Sequence, residues 1–121
     1  MSNHNCDSLL VACIDFRFQK FIRNWIEKNM NNKTYDYVGY AGATKELKTI
    51  MKQVDISVRL HSIKEVYLIH HEDCGAYGIE STPKRHLVDL RKAKNYILGK
   101  YPNLLVNPYY LHLDGKFEQV G

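Results

Sequence analysis

The stretch Ser8-Leu9-Leu10-Val11-Ala12-Cys13-Ile14-Asp15-Phe16-Arg17 decides the fold. Its first six residues are almost continuously apolar, the pattern of a strand buried on both faces of a parallel sheet. The run stops at Cys13, and a carboxylate and a guanidinium follow at once. From Phe18 to Met30 the apolar period changes: Phe18, Phe21, Ile22, Trp25 and Ile26 share one helical face. Asn29 to Asn32 ends that helix with polar turn formers.

Working outward, the same alternation repeats. Tyr35 to Tyr40 reads as a second strand and Ala41-Gly42-Ala43 as the turn after it. Thr44 is a predicted N-cap, and Leu47, Ile50, Met51, Val54 and Val58 form the next helical stripe. Val66-Tyr67-Leu68-Ile69, within Lys64 to His70, is the third strand, and Cys74 to Gly78 is a glycine-flanked loop. Thr82-Pro83 reads as N-cap and N1 proline of a helix running to Lys100, with Leu87, Leu90, Ala93 or Lys94, and Ile97 facing inward. Tyr109 to Leu113, Asp114-Gly115 and Lys116 to Val120 predict a hairpin with a two-residue turn. The expected fold class is α/β: three layers, a central, mostly parallel β-sheet flanked by helices, and a C-terminal hairpin or edge strand. The whole chain, 1–121, is read as a single domain.

Composition narrows the function. With 45% hydrophobic and 25% charged residues the chain is neither disordered nor of low complexity. No stretch approaches the ~18 apolar residues of a membrane span. Met1 to Asn5 lacks the basic start and apolar core of a signal peptide. The net charge of +4 is spread along the chain, apart from Lys84-Arg85 and Arg91 to Lys94, and no nucleic-acid-binding module accompanies it. Three cysteines, an odd number without a secretory signal, point away from a disulfide framework and toward a reducing, cytoplasmic setting. Neither nucleic acid nor membrane is an expected partner. Cys6 lies in a polar tail with no partner chemistry beside it in sequence.

In open α/β sheets, ligands gather at the carboxyl ends of the strands. Cys13 ends the first strand, and His71-Glu72-Asp73-Cys74-Gly75 follows the third. Two thiols and one imidazole suit zinc with one position left open, which separates a catalytic ion from a structural one. Two thiolates neutralise the ion's charge, so water there is less acidified than at an all-histidine site, and activity is expected to favour alkaline pH. Asp15 can close the fourth position as a ligand. It can instead pair with the planar fork of Arg17, stay off the ion and accept a hydrogen bond from water. His70 offers H-x-x-x-C where His71 offers H-x-x-C, and strand alternation points the two in opposite directions. Glu72 and Asp73 read as supporting or solvated loop carboxylates, and His4, His61, His86 and His112 as surface or helix-face residues. Neither Cys13 nor Cys74 has the arginine of a cysteine phosphatase motif, and no C-x-x-C is present for thiol exchange.

C-x-D-x-R after one strand, a glycine turn after the next and H-x-x-C-G after a third resemble the β-class carbonic anhydrases. The likeness spans Leu9 to Gly78, with a weaker echo at Tyr109 to Val120. It implies Cys13, His71 and Cys74 as ligands of Zn2+, Asp15 and Arg17 as the catalytic dyad gating the fourth position, and the Gly75 N–H as a substrate contact. The implied reaction is reversible hydration of carbon dioxide to bicarbonate and a proton through zinc-bound hydroxide, in a homodimer or higher homo-oligomer. The chain departs from the family pattern at Phe16, where serine is usual, and at Ala41-Gly42-Ala43, which lacks the common asparagine. No residue matches the family's substrate-contacting glutamine. Two other readings keep the same ligands: hydrolysis of carbonyl sulfide or carbon disulfide, and a zinc protein without turnover in which Asp15 closes the site.

Overall fold

A computed structural model describes residues 4–121. In chain order the elements are β1 (Ser8–Ala12), a single 3-10 turn at Phe16–Phe18, α1 (Gln19–Asn29), β2 (Tyr35–Gly39), α2 (Leu47–His61), β3 (Glu65–His71), a second 3-10 turn at Gly78–Glu80, α3 (Pro83–Lys100), β4 (Leu105–Leu111) and β5 (Phe117–Gln119). They build one five-stranded sheet in the order β2-β1-β3-β4-β5. The first four strands are parallel and β5 is antiparallel at the edge.

Alternation along the strands divides the core in two. Leu9 and Val11 of β1 and Val66 and Leu68 of β3 pack with Ile50, Met51 and Val54 of α2 and Leu90, Ala93 and Ile97 of α3. Leu10, Ala12, Tyr67 and Ile69 face the other way, onto Ile22 and Ile26 of α1. The expected three layers are therefore present, with α1 on one face and α2 and α3 on the other. Because β1 lies between β2 and β3, the chain leaves β1 in one direction and returns on its other side. Adjacent connections diverge between β1 and β3, where an open α/β sheet leaves a crevice at its carboxyl edge.

Several local expectations need correction. Thr44 does not cap α2: the cap position is Glu46, without a side-chain cap hydrogen bond. The Thr44 hydroxyl instead lies 2.6 Å from His70 Nε2 in the interior. Thr82 does cap α3, accepting from the Arg85 N–H. The C-terminal hairpin begins earlier than its alternating pattern suggests, because β4 starts at Leu105 and pairs with β3 along its whole length. Its turn has three residues, Leu113 to Gly115, closed by His112 N–H to Lys116 O at 2.9 Å and Gly115 N–H to His112 O at 2.9 Å. Gly115 holds φ at +93°, the left-handed position of such a turn. Among the described residues no helix is long and apolar enough to cross a membrane.

Candidate metal centre

β1 and β3 are adjacent and in register from Ser8↔Glu65 to Ala12↔Ile69, so the loops after them meet. Cys13, the first residue after β1, is buried there with His71, the last residue of β3, and with Cys74 three positions on. One ligand atom from each lies within 4.8 Å of the others. The predicted trio is thus brought together, and it could hold a metal ion.

His71 is fixed for such a role. Its Nδ1 donates to the Glu72 carbonyl at 2.7 Å, and its ring stacks on Phe18 with centroids 4.2 Å apart. That bond assigns the proton to Nδ1 and leaves a lone pair on Nε2. Nε2 is buried and has no hydrogen-bond partner among the described residues. An orphaned imidazole nitrogen between two thiols costs about 1–3 kcal/mol unless something occupies it. Burial opposes charge on His71, but the Cys13 sulfur, the Glu72 carbonyl and Asp15 together raise its pKa.

The two sulfurs share one proton. The Cys74 thiol and the Gly42 N–H, set against burial, hold Cys13 well below the ordinary thiol range, and the hydrogen bond to that sulfur together with burial pushes Cys74 up. The Gly42 N–H points at Cys13 Sγ from 3.4 Å. Gly42 adopts φ +82°, and a Cβ there would stand 3.0 Å from the Lys45 Cβ and 3.2 Å from the Ala76 Cβ. The glycine is required for this approach of backbone to sulfur. Sequence reasoning placed Gly42 in a turn but not at the sulfur.

Asp15 and Arg17 are paired as one of the two expectations had it. Arg17 Nε donates to both Asp15 oxygens at 3.2 Å and Nη2 to Oδ2 at 2.7 Å, while the Arg17 N–H reaches Oδ1 at 3.0 Å. The same guanidinium crosses to the other loop, donating to Asp73 Oδ2 at 3.0 Å and to the Asp73 carbonyl at 2.9 Å. Asp73 presents that carbonyl from a left-handed backbone, φ +57°. Hydrogen bonds from Arg17 lower the Asp15 pKa against partial burial, so its carboxylate stays ionised. Asp15 Oδ2 lies 3.8 Å from His71 Nε2. Gln19 braces the first loop by donating to the carbonyls of Cys13 and Asp15 at 3.0 and 2.9 Å.

Above these groups opens a cleft of about 570 Å³ lined by Cys13, Asp15 and Arg17, by Gly75, and by an apolar wall that includes Ile14 and Phe16. Gly75 meets nothing within 4 Å where a Cβ would be, so packing does not demand a glycine there.

Behind the cluster, alternation sends His70 to the opposite face of the sheet from His71. There it meets His86, expected as a surface or helix-face residue, which lies on the inward face of α3 at 0% exposure. The Thr44 N–H donates to His70 Nε2 at 3.3 Å, so that nitrogen accepts. His70 Nδ1 then donates to His86 Nδ1 at 2.9 Å, and His86 Nε2 donates to Ser81 Oγ at 2.9 Å. Ser81 Oγ also accepts the Cys74 N–H at 2.9 Å. Each imidazole thus uses one donor and one acceptor, an arrangement that only two neutral rings satisfy. Burial lowers the pKa of both, that of His86 to about 4. The network ties the turn after β2 to the Cys74 loop. Sequence signalled none of it, since each member is separately an ordinary polar residue.

Comparison with known proteins agrees with this architecture. An uncharacterized protein of Rickettsia conorii is 29% identical, the match covering 97% of this chain and 73% of that protein. A carbonic anhydrase from Glaciozyma antarctica superimposes with a TM-score of 0.74 at 15% identity, over 100% of this chain and 85% of that one. A β-carbonic anhydrase of Trichomonas vaginalis gives 0.66 at 16% identity, over 99% and 87%. A carbon disulfide hydrolase shares the fold at a TM-score of 0.55 and 13% identity, over 93% and 77%. Residues 3–121 match the family described as "Putative carbonic anhydrase", and the chain belongs to that family.

Proposed function

We propose that this protein catalyses the zinc-dependent, reversible hydration of carbon dioxide to bicarbonate and a proton, with Cys13, His71 and Cys74 as the metal ligands. One observation carries the reading: the buried, unpartnered Nε2 of His71, its other nitrogen committed to a backbone carbonyl, lies between two buried sulfurs. That is how a metal-ligating histidine is prepared, with the second nitrogen fixing the ring. Two thiolates and an imidazole are a donor set suited to zinc. When bound, zinc supplies Lewis acidity that makes water a nucleophile at moderate pH.

The remaining work falls to this chain's own groups. Asp15, ionised and gripped by Arg17, is a poor proton acceptor at neutral pH but a good hydrogen-bond acceptor. It therefore orients water at the ligand cluster rather than deprotonating it. Its engagement with Arg17 argues against a closed site in which Asp15 ligates the ion. The apolar wall of Ile14 and Phe16 admits a small, uncharged, linear molecule, and the Gly75 backbone lies on the same cleft for contact with its oxygen. Ile14 is 61% and Phe16 85% exposed at the rim, apolar surface that a second copy would cover in a homodimer. A cytoplasmic, reducing setting keeps both thiols available to zinc.

Stopped-flow hydration of carbon dioxide on metal-verified protein tests the proposal. The expected result is catalysis above buffer that strengthens toward alkaline pH. Cys13→Ser is expected to lose both zinc from this cluster and activity. Asp15→Asn keeps the zinc and loses activity by on the order of 10²-fold, the cost of a misoriented reactant. Zinc bound at the cluster with no hydration at any pH would overturn the reading, and turnover of carbon disulfide in the same preparation would redirect it.

A further inference from the structure

We propose that Cys6, Asp36 and His61 form a second metal site, a structural one for zinc or a similar thiophilic divalent cation, at the opposite edge of the sheet from the first. Cys6 lies just before β1, Asp36 is the second residue of β2, and His61 is the last residue of α2. All three stand at the amino ends of the parallel strands. The length of β1, ~17 Å, separates them from Cys13. The proposal is therefore independent of the function proposed above.

Cys6 is not the isolated tail thiol its sequence context suggested. Its backbone N–H donates to the His61 carbonyl at 3.0 Å, tying the segment before β1 to the end of α2. One donor atom each from Cys6, Asp36 and His61 falls within 4.8 Å of the others, all partly buried. Ligands around a tetrahedral zinc at its usual bond lengths lie roughly 3.3–3.8 Å apart, so a separation at the 4.8 Å limit closes by about 1–1.5 Å. Asp36 is already oriented: Ser57 Oγ donates to its Oδ2 at 2.6 Å, and His61 Nδ1 lies 2.7 Å from the same oxygen. A carboxylate held by a hydroxyl from the neighbouring helix is how outer groups aim a metal ligand. His4, two residues before Cys6, sets its ring centroid 4.7 Å from that of His61. Thiolate, imidazole and carboxylate together favour zinc over calcium or magnesium, which take oxygen ligands alone. An ion here would join the segment before β1, the edge strand β2 and the end of α2.

Zinc content per chain, measured by elemental analysis on desalted full-length protein, tests the site together with thermal unfolding with and without chelator. The expected result is two equivalents for the unaltered protein and one for Cys6→Ser and for His61→Gln. Carbon dioxide hydration should be unchanged in both variants, and their melting temperatures should fall further below the unaltered protein's with zinc present than after chelation. One equivalent that disappears in Cys6→Ser but survives in Cys13→Ser would uphold this site and overturn the function proposed above. Unchanged zinc content in both Cys6→Ser and His61→Gln would overturn the second site. So would an equal loss of stability with and without chelator, the signature of a hydrogen-bonded latch that holds no metal.

Discussion

Gly42 and Gly75 flank the ligand cluster and carry opposite constraints. Gly42 aims its N–H at Cys13 Sγ from a left-handed backbone, with Lys45 and Ala76 crowding the place of a Cβ. Gly42→Ala is expected to cost about 1–3 kcal/mol, from left-handed strain and overpacking together. It should also weaken zinc retention, because the N–H leaves the sulfur. Gly75 has open space where a Cβ would go, so Gly75→Ala should change stability by less than about 0.5 kcal/mol. The added methyl enters the cleft, and its effect belongs in kcat/KM. Urea unfolding read beside hydration kinetics checks both, and equal stability losses in the two variants would contradict the assignment. At this scale the sequence disclosed the candidate ligands better than the residues that support them. Cys13, His71 and Cys74 stand out because thiols and imidazoles at strand ends are uncommon and chemically specific. Gln19, Thr44, Ser81 and His86 are polar residues of ordinary types, and only tertiary packing makes them partners of the site.

Among the elements, the β4–β5 hairpin shows how packing decides a local matter. Gly115 sits against α1: a Cβ there would stand 2.7 Å from Phe21 Cε1 and 2.9 Å from Cδ1. Phe21 packs on the core formed by α1, with Trp25 and Phe117 beside it. Gly115→Ala must displace that ring while holding φ at +93°, and is expected to destabilise by about 1–3 kcal/mol. Urea unfolding measures it, and a companion Phe21→Leu background should reduce the penalty by making room. The Asp-Gly pair did signal a hairpin, but turn length depends on the register of β4 against β5, which alternation alone leaves open. The start of β4 was hidden for a different reason, since Asn107-Pro108 interrupts the apolar pattern. Pro108 is tolerated because its carbonyl accepts the Val120 N–H at 2.9 Å, on the β5 side. The N–H and C=O of one strand residue point the same way, so the missing donor also faces that side. The ladder to β3 is left intact, and the proline behaves as at a strand edge.

Across the whole molecule, the parallel order was legible because buried strands and helical stripes have different periods, and parallel strands require crossovers. Burial of the histidines was not legible, and it governs how the fold responds to acid. His86, wholly buried between His70 and Ser81, has its pKa pushed from 6.5 to about 4. The unfolded chain binds a proton near pH 6.5 that the folded chain refuses until about pH 4. Stability contributed by neutral His86 is therefore full above pH 6.5 and is lost as pH falls to about 4, by on the order of 3 kcal/mol. His71, whose pKa is raised, works in the opposite direction while no metal occupies its lone pair. Asp15 and Asp36, both lowered, withdraw their contributions only as pH falls below about 3.8. A difference between variants separates these effects where a single curve does not. In metal-stripped protein, His86→Asn should melt lower than the unaltered chain at pH 7, because Ser81 and His70 lose a partner. Its melting temperature should then fall less between pH 7 and pH 4.5, because one of the two buried histidines whose proton uptake opposes folding in that window is gone. Parallel melting curves for the two proteins across that range would show that His86 binds its proton alike in the folded and unfolded chain, and would remove the histidine network from the account of acid stability.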